Sequence, residues 1–347
     1  MLAHFYYDRL SPKEARAYDE LRSAIERGRE SHLLYDMDES QSDRIMDALR
    51  DDCPELYDCI FILKQRAREP RGTRVYFEYA YTDSYKMQIA IDQALQSVEE
   101  KIGRSGSPYL IAKCVYDYLA KNVEYDYETF VEYMRLFSET NSEQRESALR
   151  SFVETYGNCF TAYGALVEKK AVCMGIAMAY KLLMDRLNVE TACISGKVDS
   201  VNHMMNLVEL DYQVTFCDVT CGMLNPNLPM VRYDYFLVPA SYVEDYFESD
   251  INCDFTSETE KLHYFARKRL DFSSVRELRK YLNSFSYRSV KGELRCMYRK
   301  LGDIEDDIER MLSDIVVPRL GSEYSIYNYS LQNHVLNLVL EKRESHI

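Results

Sequence analysis

The sequence predicts an α+β fold in three pieces, and three observations carry the prediction. The chain has 347 residues, more than one hydrophobic core usually organises, and 46% of them are apolar, enough to bury several cores. Runs with apolar residues at helical spacing alternate with short β-branched and aromatic runs of strand length. Near residue 245 this pattern gives way to an acidic, polar stretch that reads as a linker. The expected units are an N-terminal α+β unit over 1–105, a central core over 106–245, and a linker with a small α+β accessory domain over 246–347.

The first helix, "SPKEARAYDELRSAIERG", opens with Ser11 as N-cap, Pro12 at the first helical position and Glu14 three residues after the cap, and it closes at Gly28. "YDCIFILKQ" and "TRVYFEYAY", separated by a "REPRGT" turn, read as a hairpin. "SYKMQIAIDQALQSVEEKIG" is an amphipathic helix ending on Gly103. The central unit begins with a helix carrying Ile111, Val115 and Leu119 at four-residue spacing, followed by two shorter helices over 128–156. "AVCMGIAMAYKL" is a helix starting near Cys173, and "NHMMNLVELDYQVTFCDVT" is a hairpin; "YDYFLVP" is a short strand closed by Pro239. "EDYFESDINCDFTSETEK" is the linker, and beyond it helices from Ser273 and Asp303 alternate with strands from Gly292, Glu323 and His334.

Charge and composition exclude several functions. A net charge of −14 and a pI near 5.0 give a surface that repels phosphate, and no Lys/Arg cluster with interleaved aromatics offsets it, so nucleic acid is not an expected partner. The start of the chain lacks the basic and apolar regions of a secretory signal, and no stretch approaches about 18 uninterrupted apolar residues. The expectation is a soluble, cytoplasmic protein with no membrane partner. Ten cysteines without CxxC pairs suit reduced thiols better than a disulfide framework. A metal set drawn from Cys193, His203, Cys217 and Cys221 lacks the usual two-residue ligand spacing, and Cys217 alternates to the face opposite Asp218, so core packing is the better account. The acidic stretch after 244 lacks the Gly and ordered oxygens of a calcium loop. No cofactor is expected.

Three residues stand out chemically. A catalytic cysteine needs a helix N-terminus, a neighbouring imidazolium, or both, to favour its thiolate. Val172, Ile176, Ala179, Tyr180 and Leu183 form a helical stripe behind a polar "EKK", which puts a helix start within a residue or two of Cys173. The backbone N–H groups there could hold an oxyanion, and Gly175 leaves bare backbone where a strand or a substrate could approach. If the following hairpin turns at Leu210 and Asp211, His203 and Asp218 are directly opposed, with β-carbons roughly 5 Å apart. The carboxylate would then hold Nδ1–H and leave Nε2 facing the thiol. Taken singly, Cys173 and His203 read as ordinary packing residues, and Asp218 reads as well as one half of a solvated hairpin pair.

"AYGALVEKKAVCMGIAMAYKLLMDRLNVETACISG", then "NHMMNLVELDYQVTFCDVT", then "YDYFLVP" resembles the bacterial transglutaminase-like superfamily over roughly residues 108–240. The shared features are a Tyr-Gly-Ala-Leu lead-in, a Cys-x-Gly opening a helix, a His-x-x-Asn strand and an Asp-x-Thr strand. The resemblance implies a papain-like core with a catalytic triad at Cys173, His203 and Asp218, a second oxyanion donor at Thr161 or Asn158, and a cleft wall at Gly175, Met204, Met205 and Asn206. Met204 and Met205 replace the family's usual Ala and Trp, Tyr212 stands where a turn glycine is common, and Cys221 where a tryptophan often follows. Residues 128–156 exceed the usual connection and are either a lid or a helical pair packed on the core, the second being favoured. The implied activity is acyl transfer on amide bonds of a protein or peptide substrate, as cysteine protease, deamidase or protein-glutamine acyltransferase. The competing reading is a catalytically silent binding or scaffold protein with the same core.

Overall fold

The computed structural model describes residues 2–103, 106–139, 142–244, 246–284, 293–321 and 323–343. Helices and antiparallel sheets occur in largely separate segments, the α+β class that the sequence predicts. Contacts divide the chain in two: Met1–Thr220 with Ala240–Glu258, and Cys221–Pro239 with Thr259–Ile347. The division does not fall at the expected residues 105 and 245. The N-terminal segment is tied into the central core by partly buried polar contacts: the Glu190 carboxylate accepts from Leu2 N at 2.6 Å, and the Tyr6 hydroxyl donates to the Cys193 carbonyl at 3.2 Å.

In the first unit, α1 (Pro12–Glu26) carries the expected capping box, with the Ser11 and Glu14 side chains each bonded to the other's backbone N–H. Strand β1 (Ser31–Tyr35), helix α2 (Glu39–Asp52) and the hairpin β2 (Cys59–Glu69) and β3 (Gly72–Tyr79) follow, the strands pairing in the order β1-β3-β2. Leu21, Ile45, Leu49 and Val75 close the core between these helices and strands. Each such buried side chain contributes roughly 1.5–3 kcal/mol.

Helices α3 (Ser84–Ile102) and α4 (Pro108–Asn122) lead to a two-residue parallel ladder, β4 (Glu124–Tyr125) on β5 (Lys170–Ala171). Helices α5 (Tyr127–Glu139) and α6 (Ser142–Tyr156) lie between them in sequence. Leu136 of α5 and Leu149, Phe152 and Val153 of α6 are buried with Ile60, Phe160 and Val172, so this pair packs on the core.

Helix α7 (Cys173–Arg186) is buried along most of its length because almost every position is apolar or small. It packs against β6 (Thr191–Val198) and β7 (Val201–Leu210), which with β8 (Gln213–Cys217) and β9 (Phe247–Ser249) form antiparallel pairs in the order β9-β6-β7-β8. Strand β9 corrects the linker reading. A polar, acidic run gives little strand signal, but Phe247 is buried and the three residues pair with Gly196–Val198 on the edge of β6.

The β7–β8 turn also corrects an expectation. It lies at Asp211–Tyr212, both with positive φ (52° and 62°), so Leu210 pairs with Gln213 and Asn206 with Cys217. The register is therefore two residues from the expected one. A shift of two leaves every side chain on its own face, whereas a shift of one would have reversed them.

In the second unit, β10 (Glu293–Met297), β11 (Tyr324–Ser330) and β12 (Val335–Lys342) pair in the order β10-β12-β11. Leu278 and Leu282 of α8 (Val275–Ser284) and Ile308 of α9 (Glu305–Met311) are buried with Leu294, Leu336 and Leu338. Among the described residues, no helix is long and apolar enough to cross a membrane.

Candidate active site

Cys173 is the first residue of α7. Val172 at the N-cap is extended and offers no side-chain cap, so the first-turn N–H groups remain open for another acceptor. The helix is held in place from behind. A Cβ on Gly175 would stand 2.6 Å from the Cys159 carbonyl oxygen and 2.7 Å from that of Thr161. The bare backbone seen in the sequence thus serves close packing, and Gly175 does not line the cleft. Gly175→Ala gains about 1 kcal/mol of helix propensity, but the two carbonyls must give way. The expected net result is a loss of roughly 1–3 kcal/mol, read as a lower urea midpoint at unchanged slope.

Continued one step past Asn206 and Cys217, the β7–β8 register sets Asp218 beside Met205, diagonal to His203 on the same face, a separation side chains can bridge. His203 Nε2 and Asp218 Oδ2 are 2.8 Å apart. This reverses the expected ring orientation: the carboxylate takes Nε2 and leaves Nδ1 as the nitrogen available to the thiol, and Cys173 lies close enough to the imidazole to act on its charge. Asp218 is 1% exposed and cannot be screened by water, and Tyr116 of α4 donates to its backbone carbonyl at 3.3 Å. Burial alone would push the imidazole down, but Asp218 and then Cys173 outweigh it and hold His203 well above its ordinary value. Phe247 of β9 stands edge-on to the imidazole, ring centroids 6.3 Å apart, and Gly196 makes room for it, since a Cβ there would collide with the Phe247 ring.

The other expected site residues fall elsewhere. Thr161 donates its hydroxyl to the Asn158 carbonyl at 3.0 Å and accepts from Tyr163 N, while the Asn158 amide donates to Glu168 at 2.6 Å and to the Tyr81 carbonyl at 3.3 Å. Their donors are engaged with these partners, and neither residue lines the cleft. Met204 does line it, but Met205 is buried outside it, and Asn206 is a brace whose amide donates to the Ala177 carbonyl of α7 at 3.0 Å. Cys193 and Cys217 are the cross-strand neighbours of Asn206 and are fully buried, their surroundings those of packing residues.

Cys173 and His203 open onto a cleft of about 420 Å³. Its walls include residues that local sequence reading missed: Arg50 from α2, Phe61 from β2, Phe130 and Tyr133 from α5, and Asp250 just past β9. Burial and then the negative charge of Cys173 push the Tyr133 phenol up. Nothing in the local pattern marks these residues, because each belongs to a segment whose own periodicity is satisfied by packing.

The wall formed by α5 is anchored to the strand that leads into Cys173. Asp126 N donates to the Ala171 carbonyl at 3.0 Å. The buried Asp126 carboxylate accepts from Thr129 N at 3.1 Å, the Thr129 hydroxyl at 2.6 Å and the Cys159 thiol at 3.1 Å, and it pairs with Lys170 at 3.2 Å. Burial would raise this carboxyl, but the hydrogen bonds bring it down to about 2. A carboxylate depressed in the folded state adds stability above its unfolded value, near 4, and loses it as the pH falls through the folded one. Asp126→Ala is therefore expected to cost about 1 kcal/mol at neutral pH, with the difference from wild type shrinking between about pH 4 and pH 2. Urea titrations at several pH values check it.

No protein-family model matches the chain, and a search of curated proteins finds no match. Two solved structures resemble it in part. One is described as "a TGase", with 15% identity, a TM-score of 0.30 and coverage of 50% of this chain and 47% of that one. Another is "a Putative Cysteine Protease from Cytophaga hutchinsonii", with 12% identity, a TM-score of 0.27 and coverage of 54% of this chain and 65% of that one. The chain spans about half the length of the first and just under two thirds of the second. At these scores the likeness carries no argument about chemistry, which rests with the side chains.

Proposed function

We propose that this protein is a thiol enzyme with a transglutaminase-like, papain-like core that acts on amide bonds by acyl transfer. One arrangement carries the reading: an imidazole held at 2.8 Å by a buried carboxylate, sharing a cleft with a cysteine at the uncapped start of a buried helix. The Cys173 sulfur attacks the carbonyl carbon of a carboxamide or peptide bond, and the first-turn N–H groups of α7 stabilise the tetrahedral oxyanion. His203 then gives its Nδ1 proton to the departing nitrogen, the C–N bond breaks, and ammonia or an amine leaves. A thioester remains on Cys173. Water or a primary amine, deprotonated by His203, attacks that thioester and releases the thiol, while Asp218 keeps the ring oriented throughout.

The substrate is a protein or peptide, since a cleft of about 420 Å³ with Phe61, Phe130, Tyr133 and Met204 in its walls has room and apolar surface for amino-acid side chains beside Cys173. Incubating the purified protein with a casein-type glutamine donor, with and without a fluorescent primary amine, tests the proposal. Ammonia release with amine incorporation is expected of an acyltransferase, ammonia release alone of a deamidase, and new peptide termini of a protease. The absence of all three, with a broad set of protein donors, would sink the acyl-transfer reading.

A further inference from the structure

Asp218, at the end of β8, holds the His203 imidazole from one flank, and the strand order β9-β6-β7-β8 puts a second neighbour on the opposite flank. Direct partners across a ladder share a face. Gly196 of β6 pairs with His203 on one side and with Ser249 on the other, and Phe247 lies two residues from Ser249, on that same face. The β9 and β7 backbones are about two strand spacings apart, ~10 Å, and the Phe247 and His203 ring centroids are 6.3 Å apart at an interplanar angle of 76°. The phenyl ring covers the distance by leaning over Gly196.

Gly196 is what lets the ring through. A Cβ there would stand 2.5 Å from Phe247 Cζ, 2.8 Å from Cε2 and 2.3 Å from the Glu248 carbonyl oxygen, all inside ordinary van der Waals contact. Phe247 is 6% exposed and does not line the cleft, so it reaches the reacting atoms only through the imidazole. The second torsion of a histidine is broad and roughly two-fold, so a covalent preference does not fix the ring. The hydrogen bond to Asp218 fixes one nitrogen from the β8 flank. A flat ring edge-on from the β9 flank takes up the room into which the imidazole would otherwise swing.

We infer that Phe247 is a positioning residue: leaning over Gly196, it holds the His203 imidazole in the orientation that gives Nε2 to Asp218 and leaves Nδ1 available to the thiol. The inference rests on the proposed role of His203 as the base, and it names what orients that base besides Asp218. Placement of this kind is worth a measurable share of the rate, since a catalytic group displaced by about 1 Å loses about 10²-fold.

Phe247→Ala empties the β9 flank, and Phe247→Leu keeps it filled with an apolar side chain that has no flat face and serves where alanine loosens β9. Both are read in two ways. Turnover of the casein-type donor is expected to fall in kcat by about tenfold or more for alanine and by less for leucine, with KM unchanged because the side chain touches no substrate. The Nε2–H proton bonded to Asp218 is expected as a low-field proton signal in mildly acidic solution, assigned by its loss in Asp218→Asn. In Phe247→Ala it should exchange with water about tenfold faster, because the bond opens more often. Absence of the signal from the wild-type protein, unchanged exchange in both variants, an unchanged kcat, or a KM that rises in step with the loss of kcat would overturn the inference; where the wild-type protein turns over the donor, the acyl-transfer reading survives that failure. Faster exchange in a protein that turns over no donor would do the reverse, keeping the positioning role and sinking the reaction.

Discussion

Cys173→Ala is expected to lower turnover of any amide substrate by about four orders of magnitude or more, because loss of a covalent nucleophile removes the step that the rest of the site assists. The fold should survive, since Cys173 is only partly buried and alanine suits a first helical turn. A matching readout is thiol alkylation. Seven of the other cysteines are buried, and burial pushes the Cys53 and Cys159 thiols up to about 12 and also raises Cys253. Iodoacetamide near pH 6 should therefore label the peptide containing Cys173 first, in step with loss of activity. Labelling that falls first on Cys221 or Cys253, with activity retained, would remove the nucleophile from the proposed mechanism.

The second large effect is expected at Asp218. Asp218→Asn keeps the shape but removes the charge that outweighs burial at His203, so the imidazole pKa should fall, visible in nitrogen-proton correlation spectra of the ring. Turnover should drop by roughly 10²–10⁴ as the tautomer and orientation are lost. The stability consequence has a definite sign. A histidine raised in the folded state contributes in full below its unfolded value, about 6.5, and that contribution fades as the pH rises through the folded value. The variant should therefore be most destabilised relative to wild type in mildly acidic solution and least in alkaline solution. A gap that widens toward high pH would mean that Asp218 does not hold the imidazole charged.

Much of the candidate site was legible because its geometry is local. A polar run ahead of an apolar stripe marks the start of α7, and alternation along one hairpin puts His203 and Asp218 on a common face. The expected register was off by two, yet parity kept the pairing within reach; the turn at Asp211–Tyr212 hid because neither residue is the glycine that left-handed backbone favours. Ring orientation was not legible, since alternation sets a side chain's face and says nothing of its second torsion. Thr161 and Asn158 have their donors engaged elsewhere, Thr161 on the Asn158 carbonyl and Asn158 on Glu168 and the Tyr81 carbonyl, and the last two partners are distant enough in sequence that no local pattern points to them. Strand β9 was invisible because three residues pairing on an edge need only one buried side chain. Arg50, Tyr133 and Asp250 reach the cleft through tertiary packing alone.

That dispersal has a consequence for the life of the chain before it is folded. Cys173, His203, Asp218 and walls of the cleft come from α2, α5, α7, β7, the end of β8 and the residue after β9, so most of the first unit must be ordered before they meet. Closing loops of that length costs entropy that only late, long-range contacts repay. During synthesis, or in any partly unfolded state, Cys173 is one ordinary thiol among ten, with no base beside it. On the proposed reading, completing the fold is what arms the chemistry, and reactivity toward amides would double as a report that the first unit has closed.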